Sequence, residues 1–144
     1  MDNKDYTNII LEIFQEICKI PHPSGQEEAI GDYLMAFAKA HGLKAKKDNV
    51  GNILICKAAA KGCEKSPTVI LQAHQDMVCE KDAALIHDFM KQPIQTYIED
   101  GWLKAKGTTL GADDGIGMAM MLAVLADSTL KHGPIEALFT VSEE

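Results

Sequence analysis

Six residues in three separated places carry side chains able to do chemistry together: His74 and Asp76 in LQAHQDMV, Asp113 and Asp114 in LGADDGIG, Glu143 and Glu144 in TVSEE. In an extended segment, side chains two positions apart point to the same side, about 6.6 Å apart along the strand. His74 and Asp76 therefore face one way. One imidazole nitrogen can then hold a metal while the other donates to a nearby carboxylate, which fixes the tautomer and makes the ligand more basic. Taken alone, the pair has a commoner reading, a hydrogen bond that closes a strand. Asp113 and Asp114 open an apolar helix, whose partly positive end stabilises carboxylates. N-capping accounts for Asp114. For Asp113, the glycines at 111, 115 and 117 point to something tighter, since they let backbone and ligand approach closely. A carboxylate can also bridge two divalent ions held roughly 3.5–4 Å apart. Glu143 and Glu144 repel each other unless a cation or proton separates their roles, although two acids at a solvated strand end are common. Together the three places are expected to converge, because open α/β folds put ligands beyond the ends of their strands.

The elements that must position them alternate in type. Residues 5–19 carry Ile9, Ile10, Ile13, Phe14 and Ile17 at helical spacing, and Pro21 and Pro23 stop that helix. Ser24-Gly25-Gln26-Glu27 has the form of a capping box for a second helix, which runs through Ile30, Leu34 and Phe37 to Gly42. KAKKD and ILICK flank a turn at 49–52 and predict a hairpin. TVILQA is the short apolar run of an interior strand. Asp100-Gly101 sits between two β-like runs, the strongest short hairpin signal in the chain. GTTLGADDGIGMAMMLAVLAD is a glycine-rich loop feeding a helix apolar almost all round, hence buried. PIEALFTVSEE is a last strand. Interleaved helices and strands predict an α/β fold, a mixed β-sheet flanked by helices.

Bulk properties narrow the classes. A chain of 144 residues is one domain or part of one, able to bury about 68–70% of its unfolded surface. Its formal charge of −7 disfavours nucleic acid, which needs clustered Lys and Arg, and suits a site that gathers cations. No apolar run approaches ~18 residues, so no membrane span is expected, and MDNKDYTNII is no signal peptide. Cys18, Cys56, Cys63 and Cys79 form no CxxC pair and read as reduced, buried thiols of a cytoplasmic protein. There is neither a P-loop nor a G-x-S-x-G elbow. His22, His41, His87 and His132 are lone histidines that read as surface or packing, and Met118, Met120 and Met121 fit a buried helix.

H-x-D, then G-x-x-x-G-A-D-x-G-I-G, then a strand ending in E-E resembles the co-catalytic zinc metallopeptidases. IPHPSGQEE, DNVGNILI, HDFMKQPIQTYI and GTTLGADDGIGMA look closest to their aminoacyl-histidine (cytosol non-specific) dipeptidase branch. The resemblance implies a zinc-peptidase-like catalytic domain of phosphorylase/hydrolase-like fold, of which residues 1–144 are the N-terminal portion. The rest of that domain and a lid that dimerises the parent would lie elsewhere. It implies two divalent metal ions, zinc first with cobalt or manganese as alternatives, and hydrolysis of dipeptides, Xaa-His among them. His74 would be a terminal ligand, Asp113 the bridging ligand, Glu144 a ligand of the second ion, Glu143 the general base, and Asp76 the carboxylate orienting the site around His74. The residue after the bridging aspartate is often Asn in this branch and is Asp114 here. A catalytic zinc wants three protein ligands plus water, so the 144 residues alone are expected to be inactive, with an apolar patch on the last strand and buried helix. A tripeptidase, aminoacylase or deacetylase would share the metal residues, and a non-catalytic metal-binding fragment is the reading from another class.

Overall fold

In the structure, a computed structural model describing residues 5–144, the chain opens with helix α1 (Tyr6–Cys18), whose cap Asp5 accepts from the Asn8 amide at 3.2 Å. The first four residues, part of the stretch read above as no signal peptide, lie outside the described residues. Helix α1 buries Phe14, Ile17 and Cys18, and α2 (Glu28–Ala40) buries Ile30, Leu34 and Ala38, as the spacing predicts. The capping box between them does not form. Residue 27 itself occupies the cap position of α2 and no side chain caps the helix. Ser24 instead donates to Asp76, and Glu27 accepts from Ser142 as well as from the nearby Gly25 amide.

The strands are β1 (Lys44–Lys47), β2 (Ile53–Lys57), β3 (Val69–His74), β4 (Thr96–Glu99), β5 (Trp102–Ala105) and β6 (Ile135–Thr140). Helix α3 (Ala112–Ala126) lies between β5 and β6. The main sheet has the order β1-β2-β6-β3, with β2 antiparallel and β3 parallel to β6, so it is mixed as expected. The β1–β2 turn is held by Asp48, whose Oδ1 accepts the amides of Val50, Gly51 and Asn52. Strands β4 and β5 form a separate hairpin, turning through Asp100 and Gly101, both at positive φ.

Strand β3 departs from its expected interior place. It pairs only with β6 among the described residues, and Val69 and Ile70 are 50% and 67% exposed. An apolar run tells that some face is buried but not how many neighbours the strand has. Only its end, Ala73 and His74, lies under α3 and is buried. Ile53, Ile55, Ala73, Ala137 and Phe139 line the sheet face that packs on the helices with Phe14, Leu34, Met118 and Leu122. On the opposite face Leu54, Leu138 and Ile70 remain partly or largely exposed. Exposed apolar surface of this kind favours association. The 144-residue chain is therefore expected to self-associate as its concentration rises, and Ile70→Lys to reduce this in sedimentation velocity. A monomer at every concentration would contradict it.

No helix among the described residues is long and apolar enough to cross a membrane. All four cysteines are free. Only Cys18 is buried, where desolvation pushes its thiol up to about 12; the other three are half-buried rather than buried.

Candidate metal centre

Parallel pairing explains why the three places meet. His74 ends β3 opposite Thr140, the last residue of β6, so Glu143 and Glu144 lie just past the same sheet edge. Helix α3 leads directly into β6 and packs on β3, which returns its first turn, with Asp113, to that edge. Asp113 and Asp114 have non-helical backbone angles and are joined by a cis peptide bond, so the regular turns begin after them. The neighbouring glycines make room for protein atoms rather than for a ligand. A Cβ at Gly111 would come within 2.8 Å of Met77 Sδ, one at Gly115 within 2.8 Å of Phe14, and one at Gly117 would run into the Asp114 carboxylate.

His74 is buried, and both of its ring nitrogens face oxygen. Nδ1 donates to the Asp76 backbone carbonyl at 2.9 Å, and Nε2 lies 3.0 Å from Asp113 Oδ1 and 3.7 Å from Glu143 Oε2. Burial works against a charge on the ring, but Asp113, the Asp76 carbonyl and the fields of Asp76 and Asp114 outweigh it, so its pKa lies above the usual value. One ligating atom each from His74, Asp113 and Glu144 fall within 4.8 Å of one another. Asp113 is 86% exposed at its side chain, which leaves its second oxygen accessible.

Asp76 meets the His74 ring through its backbone rather than its side chain. Its carboxylate is 3.6 Å from His74 Nδ1, too far for a hydrogen bond, and it is the backbone carbonyl that orients the ring. The carboxylate instead accepts from Ser24 Oγ at 2.8 Å and from the amides of Glu143 and Glu144 at 3.0 and 3.1 Å. Burial raises its pKa, yet those three donors, Glu143 first, together hold it below the ordinary carboxylate range. His22, a lone histidine in sequence, is buried as packing; desolvation lowers its pKa, and its carbonyl receives the Met77 amide at 3.1 Å. Three further residues touch the site's frame. Ser24 and Glu27 carried a misleading signal, that of a helix cap, and Asn52 carried only that of a turn.

The architecture is that of peptidase domains. The solved aminoacylhistidine dipeptidase of Vibrio alginolyticus superposes with a TM-score of 0.92 at 47% identity, covering 99% of this chain and 30% of that one. A tripeptidase of Staphylococcus aureus superposes at 0.77 with 26% identity, over 94% of this chain and 36% of its own. In sequence the chain is 55% identical over 133 residues to the cytosol non-specific dipeptidase of Escherichia coli, which covers 92% of this chain. The resemblance read from the motifs is thus borne out in sequence and in fold. The chain spans about a quarter of that relative's length, 27%. No protein-family model matches it.

Proposed function

We propose that this chain is the metal-binding portion of the catalytic domain of a dipeptidase that hydrolyses small peptides. The observation that carries the reading is the convergence of His74, Asp113 and Glu144 within 4.8 Å. Tetrahedral zinc with bonds of about 2.0–2.1 Å spaces its ligands roughly 3.3 Å apart, so one imidazole nitrogen and two carboxylates at this spacing suit divalent cations. Charge supports it too. Asp76, Asp113, Asp114, Glu143 and Glu144 crowd one histidine, and none of them pairs with Lys or Arg among the described residues. His74 and Asp113 would hold one ion and Asp113 and Glu144 the other. Bound there, divalent ions would supply Lewis acidity for a peptide carbonyl and make water a better nucleophile near neutral pH.

The chain's own groups do the rest. His74, pinned at Nδ1 by the Asp76 carbonyl, offers Nε2 in a fixed direction. Glu143 stands beside the ligating atoms, with Oε2 3.7 Å from His74 Nε2 and its side chain half-exposed. It takes a proton from the attacking water as the C–O bond forms, and delivers that proton to the amine nitrogen as the C–N bond breaks. The higher identity of the dipeptidase relatives, 55% and 47% against 26% for the tripeptidase, supports dipeptides rather than tripeptides as substrates. With three ligating side chains for two ions, the 144 residues alone are expected to turn over little substrate.

In a protein that joins this chain to the residues its longer relatives carry, Glu143→Gln is expected to lower dipeptide turnover by about 10²–10⁴-fold. Its metal content, read by atomic emission, should stay unchanged. Turnover that survives the substitution would remove Glu143 from the proton transfer; turnover that persists in a fully metal-stripped enzyme would remove the whole reading.

A further inference from the structure

The segment that bears Glu143 and Glu144 has left the sheet, which ends at Thr140. Its amides pair with no strand among the described residues. Each of four consecutive N–H groups is instead accepted by a side chain from elsewhere: Val141 by Asn52 Oδ1 at 3.0 Å, Ser142 by Glu27 Oε1 at 2.9 Å, Glu143 and Glu144 by the two Asp76 oxygens at 3.0 and 3.1 Å. Ser142 adopts a positive φ of 51°, unusual for a residue with a side chain, and its hydroxyl also donates to Glu27 Oε1 at 3.2 Å. The acceptors are themselves tied. Asn52 Nδ2 donates to Asp48 at 2.8 Å, Gly25 donates its amide to Glu27 at 2.9 Å, and Ser24 donates to Asp76. Just beneath, Gln75 is fully buried and donates through Nε2 to both Gly51 and Phe139, locking the β1–β2 turn to β6.

We infer that Glu27 and Asn52, with Asp76, form a cradle whose task is to set the pose of Glu143 and Glu144. They are positioning residues, acting on the metal and the proton through the backbone of 141–144. This explains why the Ser24–Glu27 box is diverted from capping α2: its serine steadies Asp76 and its glutamate holds Ser142. Because Ser142, Glu143 and Glu144 are exposed and water could satisfy their amides as well, the side-chain acceptors do not serve hydrogen-bond saturation alone. They select one backbone conformation, in which Glu144 turns toward His74 and Asp113 while Glu143 stays beside them.

The inference rests on the metal reading, and its test separates the two. Amide hydrogen exchange of the metal-free 144-residue chain reads the cradle, and Co²⁺ titration by visible absorption reads the ions. Glu27→Ala and Asn52→Ala are expected to speed exchange at Ser142 and Val141 respectively by tenfold or more, and each to weaken Co²⁺ binding about tenfold or more, with little change in Tm. Glu27→Gln keeps a carbonyl acceptor and should restore protection and affinity. Fast exchange at 141–144 in the wild type overturns the cradle. So does unchanged Co²⁺ affinity in both alanine variants once protection is lost. A wild type that takes up no Co²⁺ overturns the metal reading instead, and the exchange results still support or refute the cradle.

Discussion

Alanine at Asp113 is expected to abolish tight divalent-metal uptake by this chain. Asp113 faces His74 Nε2 at 3.0 Å, nearer than Glu143 at 3.7 Å, and offers its second oxygen to solvent. Losing a group that merely supports a ligand costs about 10–100-fold in metal affinity, and losing the ligand itself should exceed the upper end of that range. Asp113→Asn keeps one oxygen and should fall between. Zinc affinity by competition with a chromophoric chelator checks both. A pH dependence accompanies it. With acceptors at both nitrogens, the metal-free imidazole is favoured as the cation, in line with its raised pKa. Metal binding must displace the Nε2 proton, so affinity weakens as pH falls below the His74 pKa, by up to about tenfold per unit. Equal affinity for zinc in the wild type and Asp113→Ala would remove Asp113 from the site.

The second large effect belongs to Asp76. Asp76→Ala takes a charged, buried acceptor from Ser24 and from two amides. Hydrogen bonds to charged groups contribute about 1.5–3 kcal/mol each, and water can reach the freed amides of the exposed Glu143 and Glu144, so a loss of about 2–4 kcal/mol is expected by urea denaturation. The sign with pH follows from the direction of the shift. Because the folded pKa of Asp76 is lowered, its stabilisation is fully present above the unfolded value of about 4 and is lost as pH falls through the folded value. The stability gap between wild type and Asp76→Ala should therefore be constant near neutral pH and narrow in acid below about pH 4. A gap that does not change on acidification would contradict the charged role.

Elements with strong local signals were legible in the sequence: the apolar stripe of α1, the Asp100-Gly101 hairpin, the nearly all-apolar α3 and the last strand, β6, all appear where expected. The polar residues at strand and helix ends were legible because a sheet interior has no use for His74 or Glu143. What could not be read was anything that depends on distant partners. The Ser24–Glu27 box satisfies the local rule for a helix cap, and only the proximity of Asp76 and Ser142, reached through tertiary packing, reveals its other use. Asn52 reads as a turn residue and is one, with its Oδ1 nevertheless spent on Val141. The exposure of Val69 and Ile70 was hidden for a related reason. Their apolar character is shared by central and edge strands, and strand order is not written in either.

The most direct test of the central claim is an anomalous difference map collected at the zinc edge from crystals of this chain grown with Zn²⁺. Peaks are expected within about 2.0–2.2 Å of His74 Nε2 and an Asp113 carboxylate oxygen, and of carboxylate oxygens of Asp113 and Glu144. Zinc found only elsewhere, with His74 still bonded directly to Asp113, would contradict the account.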